Sequence, residues 1–247
     1  MEQDHAQKLA SGMVVAEKGE ARCPLCERNA SATITFMILL LVLTVVFGIV
    51  TVLTAHYLSI NRLISSELAR KSVHIAHALI IGSWPFFTNY KLVIIGELLS
   101  LLLVVLARVF KIFGPFREIQ RLSWGEFFFP LAVIIMALYE PSPWLFLAAV
   151  LHFGFADALA AIVGDRIRQG NYVVLDHKKS FIGTSVFWLV SFGIVGWYIN
   201  FHLSSATDLW PTAIIIPTVL AVAENVSPWG SDNLTIPLLA FVLLGAL

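Results

Sequence analysis

The sequence predicts an all-α fold, a polytopic transmembrane helix bundle of about seven to eight spans with short cytoplasmic loops, on three observations. Mean hydropathy is +0.84. Of the 247 residues, 58% are hydrophobic and only 13% charged, whereas soluble domains are roughly a quarter charged. The apolar residues fall in long runs, and Lys and Arg crowd into alternate loops between them. Net charge is zero, which argues against a polyanion-binding surface. Two cysteines cannot build a disulfide framework.

Residues 1–30 read as a polar, mixed-charge tail and residues 31–247 as the transmembrane domain. The tail holds Cys23 and Cys26 in CPLC, a metal-knuckle spacing. Zinc needs four ligands, and the tail adds only the distant His5, so a plain tail is the expectation. The first apolar run has no small-residue cleavage site behind it and reads as a retained span.

Span one is expected over Ile34–Leu58, long enough to cross about 30 Å of hydrocarbon. Span two follows over Ser72–Phe87 and span three over Leu92–Phe110. The linker Lys111–Ser123 interleaves cationic and apolar residues, as a segment lying in the interface does. Spans four and five, Trp124–Tyr139 and Pro143–Gly164, are separated by a tight turn at Glu140-Pro-Ser-Pro. Span six is expected over Phe181–Phe201, span seven over Leu209–Val226 and span eight over Leu234–Leu247. Loops 1–2, 3–4 and 5–6 hold eleven Lys and Arg, and the opposite loops hold Lys91 alone. That bias places these loops in the cytoplasm; the N-terminal tail, with four cations, is the exception to the pattern.

An ionisable group inside a span costs about 2.5–3.5 kcal/mol at a helix centre on insertion scales, so each is a functional candidate. Four clusters stand at the cytoplasmic ends of the spans. Glu67, Arg70, Lys71, His74 and His77 share one helical stripe; an i,i+4 pair with packing histidines is the structural alternative. Glu126, just before an apolar run, is either a helix N-terminal acid or a site carboxylate. Glu97, midway along span three, reads as a lone buried acid. The third cluster sets Asp157 two turns inside span five, with Gly164, Gly170 and Lys178-Lys179-Ser180 following; it is not a P-loop, because no GxxxxGK[ST] occurs. Backbone amides and ammonium groups there suit a phosphate. Ala156, Ala160 and Gly164 form a small-residue ridge of the kind that packs helices. The fourth cluster, Glu224-Asn225 with Asp232-Asn233, has no cation among its members. Mg²⁺ accepts such oxygen ligands, and capping of span eight explains only one of the four.

Taken in order, these pieces resemble the polyprenol kinase family of dolichol kinases, phytol kinases and CTP-dependent diacylglycerol kinases. The matching motifs are E-x-x-R-K-x-x-H at Glu67–His74, W-G-E-x-x-x-P at Trp124–Pro130, D-x-x-A-x-x-x-G at Asp157–Gly164, K-S-x-x-G-T at Lys179–Thr184, and E…D-N-x-x-I-P at Glu224 and Asp232–Pro237. The resemblance covers residues 60–240. Ile182 and Ala156 depart from it, standing where many members carry glutamate and glycine.

The resemblance implies phosphoryl transfer from CTP, with Mg²⁺, to the hydroxyl of a membrane alcohol at the cytoplasmic face. On that reading Lys178, Lys179, Ser180 and Thr184 bind donor phosphates, and Gly164, Gly170 and Gly183 give close backbone approach. Asp157 and Asp232 hold Mg²⁺ with help from Glu224 and Asn233, and Arg70 and Lys71 clamp the phosphates. Glu67, His74 or Glu126 is the base. A phosphatidate cytidylyltransferase ranks second, since that enzyme's PGHGG and D-R-x-D signature is absent. A transporter ranks third, since no internal repeat is seen.

Overall fold

The computed structural model describes residues 24–110, 124–167, 170–174, 177–203 and 210–247. Cys23, His5, most of the 1–30 tail, the linker Lys111–Ser123, Arg168 and Asp176 lie outside the described residues, as do the side chains of Cys26 and Lys178. By internal contacts the chain divides into Met1–Leu40 and Leu41–Leu247. The first unit contributes the described start of one long helix. Apart from that helix, all that follows concerns the second.

Eight helices are described: α1 Pro24–Ile60, α2 Ser66–Ser83, α3 Tyr90–Val109, α4 Gly125–Leu138, α5 Pro143–Ile167, α6 Phe181–His202, α7 Trp210–Val226 and α8 Asp232–Gly245. Their starts follow local chemistry. Ser65, Asn89, Ser142 and Ser180 each accept a backbone N–H three residues on, at 3.0–3.2 Å. Pro143 stands at the first helical position of α5, where its missing N–H costs nothing.

Every expected span coincides with one of these helices, but fewer are membrane-crossing by their own length. Among the described residues four are long and apolar enough to cross, namely Thr35–Ile60 within α1, α3, α5 and α6. Helices α4 and α8 have 14 residues each and rise about 21 Å, short of the hydrocarbon core. Helix α2 has 18 residues but spends its first turns on Glu67, Arg70 and Lys71. The all-α bundle stands; four of the seven to eight expected spans meet that length and hydropathy, and α4, α7 and α8 are shorter apolar helices. The long apolar helices are consistent with an integral membrane protein.

Two local features depart from the prediction. The loop after α5 contains an antiparallel hairpin, β1 Asn171–Val174 against β2 His177–Ser180. Its first strand is Asn-Tyr-Val-Val, rich in residues that suit a pleated surface. Gly170, at φ +64°, turns the chain into it and accepts the Phe181 N–H. The second feature is a wide π-helical turn, His152–Asp157, in the middle of α5.

Helix α5 is the axis of the core. It contacts α2, α4, α6 and α8, and buries Phe146 and Phe153 along with Ala148, Ala149, Ala156 and Ala158. Gly154 lets α2 approach, because a Cβ there would fall 2.2 Å from Ala78 Cβ. The outer faces carry exposed Leu, Ile, Val and Phe, as a bilayer-facing surface does.

Candidate active site

The π turn delivers Asp157 to the junction of α2, α5, α7 and α8. Its carboxylate is buried and hydrogen-bonded by the Lys71 ammonium, itself buried on α2. Two buried charges of opposite sign are tolerable where each alone is not. Arg70, next to Lys71, donates to both oxygens of Glu67, at 2.6 and 3.2 Å, and lies within the field of Asp157 and Asp232.

Helix α7 ends at the same place. Glu224 is in its last turn, where the helix dipole disfavours an acid, and the residue is nonetheless buried. Lys179 of β2 compensates it, donating to Glu224 Oε1 at 2.5 Å and to the Glu224 carbonyl at 3.1 Å. Burial alone would lower the Lys179 ammonium, but Glu224, with Asp232 and Asp157 beyond it, raises it above its ordinary value. The lysine stays charged.

Asp232 opens α8 and completes the group. Asp157, Glu224 and Asp232 each offer an oxygen, and all of these lie within 4.8 Å of one another. Asp232 Oδ1 accepts the Asn233 N–H at 2.9 Å. The Asn233 side chain is buried, and its Nδ2 donor has no hydrogen-bond partner. The preceding turn holds Trp229 and Gly230 at positive φ, +53° and +84°. A tryptophan in that region costs about 1–2 kcal/mol, and the Trp229 carbonyl is anchored by the Trp124 N–H at 3.0 Å. Three acids drawn together from three helices, with cations on two sides, are poised for a hard divalent ion and phosphate oxygens.

No protein-family model matches the chain, and no solved structure matches it. Among curated proteins it is similar to a phytol kinase of Synechocystis sp., with 29% identity over 192 residues, covering 76% of this chain and 82% of the relative. The match supports a polyprenol/phytol kinase family assignment.

Three of the four sequence clusters therefore meet at one point. The second contributes differently. Glu126 pairs with Arg108 at 2.8 Å on an exposed surface, and Arg108 also lies over Trp124 and Phe127. It is apart from the three gathered carboxylates, and what the cluster sends inward is Phe129, stacked on Phe153 at 3.9 Å. His74 rests against the other side of that aromatic wall, 4.9 Å from Phe153, with Nδ1 buried and unpartnered. Glu97 is not alone: His77 meets its Oε1 at 2.9 Å.

The glycines have packing roles. A Cβ on Gly164 would meet Ser180 Oγ at 2.9 Å, and one on Gly183 would meet Ser180 Oγ at 3.0 Å and the Ala160 carbonyl at 3.1 Å. That space is filled, so this pair brings α5 and α6 together around the Ser180 cap. Gly170 is required by its positive φ.

Tyr172 was invisible to sequence reasoning. It is the cross-strand partner of Lys179, so both side chains leave one face of the hairpin. Its hydroxyl lies 2.5 Å from Asn225 Oδ1 and 2.5 Å from Thr184 Oγ1. Tyr172 and Lys179 thus dock on the adjacent residues Asn225 and Glu224. An aromatic residue two before a Val-Val end and seven before the lysine is the pattern that a hairpin register would have exposed.

Proposed function

We propose that the chain is a CTP-dependent kinase of a lipid alcohol, with phytol, a polyprenol such as dolichol, or diacylglycerol as the acceptor class. The observation that carries the reading is the trio Asp157, Glu224 and Asp232 within 4.8 Å, flanked by Lys71, Arg70 and Lys179. The relative's name, phytol kinase, supports the acceptor class.

The residues fit Mg²⁺. The donor set is carboxylate oxygen from Asp157, Asp232 and Glu224, which hard cations prefer. Asn233 adds a buried amide whose Nδ2 suits a phosphate oxygen, and whose Oδ1 would face the ion after a half-turn. Bound Mg²⁺ would neutralise charge on the donor phosphates.

The chain's own groups supply position and charge, which is most of what phosphoryl transfer requires. Lys179, Arg70 and Lys71 hold the phosphates. The acceptor oxygen bonds to the terminal phosphorus of CTP, the bond from that phosphorus to its bridging oxygen breaks, and CDP leaves. The hydroxyl proton goes to a base. Of Glu67, His74 and Glu126 we place His74 in that role, because Glu67 is held by Arg70 and Glu126 by Arg108, whereas His74 Nδ1 is unpartnered. The eleven-to-one loop charge supports a cytoplasmic site.

The test is membranes containing the protein, supplied with Mg²⁺, CTP and a panel of lipid alcohols. Label from the γ-phosphate is expected in the lipid. Label from cytosine in a phosphatidate product would replace this reading with cytidylyl transfer, and no lipid label from either position would sink it.

A further inference from the structure

Between the entry to α2 and the end of α5 lies a cleft of about 590 Å³, within the range of small-ligand sites. Leu63, Leu68 and Ile162 give it an apolar lining, and Glu67, Asp165 and Arg166 give it charge. It is displaced from the carboxylate trio along the same two helices. Glu67 precedes Lys71 by one turn, about 6 Å, and Asp165 follows Asp157 by eight residues, about 12 Å. Arg70 joins the two places, paired with Glu67 and within the field of Asp157 and Asp232.

The composition selects an occupant. With Arg166 in the wall and Arg70 on Glu67 the charge is close to balanced, and the two carboxylates accept hydrogen bonds from N–H and O–H groups, since a carboxylate held by one arginine keeps further lone pairs. An apolar lining suits a flat ring. A lipid alcohol has no donor to give such a wall beyond its single hydroxyl, and its chain belongs between the apolar spans. We infer that this cleft seats the nucleoside of the phosphoryl donor, with Glu67 and Asp165 accepting hydrogen bonds from an exocyclic amine of the base and from ribose hydroxyls. The inference rests on the nucleotide-kinase reading above and adds where the base is recognised. Triphosphate then runs past Arg70 toward Lys71 and Lys179. A base that offers a carbonyl in place of the amine, as uracil does against cytosine, faces carboxylate oxygen and is disfavoured.

Equilibrium binding of CTP labelled in its α-phosphate to the purified full-length chain, alongside transfer kinetics, tests this. Ile162→Trp fills the cleft and should weaken CTP binding about tenfold or more, raising the KM for CTP while that for the lipid stays unchanged. Asp165→Asn, a near-isosteric change, should narrow the preference for CTP over UTP by about tenfold, the worth of one charge-assisted hydrogen bond. Cytidine should compete for wild type and lose that ability in both variants, while inorganic triphosphate competes equally throughout. Unchanged CTP binding and selectivity in both variants overturns the assignment, as does a rise confined to the lipid KM, or a wild type that binds no CTP. A wild type that binds CTP with these variant effects but phosphorylates no lipid supports the cleft and removes the kinase reading instead.

Discussion

Helix α2 carries two acid–base pairs, six residues apart, and they have different company. Lys71–Asp157 is surrounded by Arg70, Lys179, Glu224 and Asp232, at the ends of three helices. His77–Glu97 is about 9 Å further along the same helix, with the His77 ring edge-on to Phe129 and Glu97 Oε2 unpartnered. Both are costly to bury, and burial alone does not separate chemistry from structure. The company does. Three acids with Lys71, Lys179 and Arg70 around them make a charged site that a cation and phosphates can join, whereas one acid met by one histidine ties α2 to α3.

The largest break in this contrast is Asp157→Asn. Transfer per folded molecule should fall about 10²–10³-fold, as for loss of a group acting at developing charge. Lys71 is also left buried without its partner, at about 3–5 kcal/mol of stability, so folded protein must be counted by size exclusion. Adding Lys71→Met should restore the folded yield and not the activity. Near-wild-type transfer by the single variant would remove Asp157 from the site. Next is Lys179→Ala, which frees Glu224 and strips a donor contact. A loss of about 10²-fold with a raised KM for CTP is expected, and an unchanged KM would mean the lysine only neutralises its neighbour.

Glu97→Gln sharpens the other side. Stability should drop by about 1–3 kcal/mol, read as a lower midpoint of thermal unfolding in detergent, with transfer per folded molecule unchanged. A loss comparable to that of Asp157→Asn would erase the distinction between the pairs. The smallest effect is expected of Tyr172→Phe. It removes the hydroxyl that docks the hairpin on Asn225, for about 1 kcal/mol, or a several-fold rise in the KM for CTP through a less fixed Lys179. Kinetics identical to wild type would show that Glu224 alone positions the lysine.

The helices were legible because apolar runs, serine and asparagine caps and prolines act locally. Every span falls on a helix, although α1 starts at Pro24, well before Ile34, and α2 at Ser66, before Ser72. The gathering of Asp157, Glu224 and Asp232 was partly legible, since uncompensated acids near hydrocarbon demand a counter-ion whatever the fold. What escaped were facts of pairing across the chain. Glu97 looked solitary because His77 is 20 residues away on another helix. That Gly164 and Gly183 face each other across two helices is likewise shown by nothing local. Glu126 reads from sequence as either a helix N-terminal acid or a site carboxylate, and its pairing with Arg108 of another helix is what the sequence does not show.

The wide turn at His152–Asp157 has a consequence for how the acid is aimed. Such a turn holds more residues than an α-turn, so everything after it is rotated relative to the face presented before it. In an unbroken α-helix each residue advances about 100° around the axis, and one extra residue shifts the downstream face by that amount. The bundle-facing stripe of Pro143–Leu151 and the site-facing stripe of Ala158–Ile167 are therefore out of phase, and Asp157 stands at the change. Helix α5 works as a shaft with a built-in quarter-turn, its lower part keyed to the core and its upper part keyed to the charges of α2, α7 and α8.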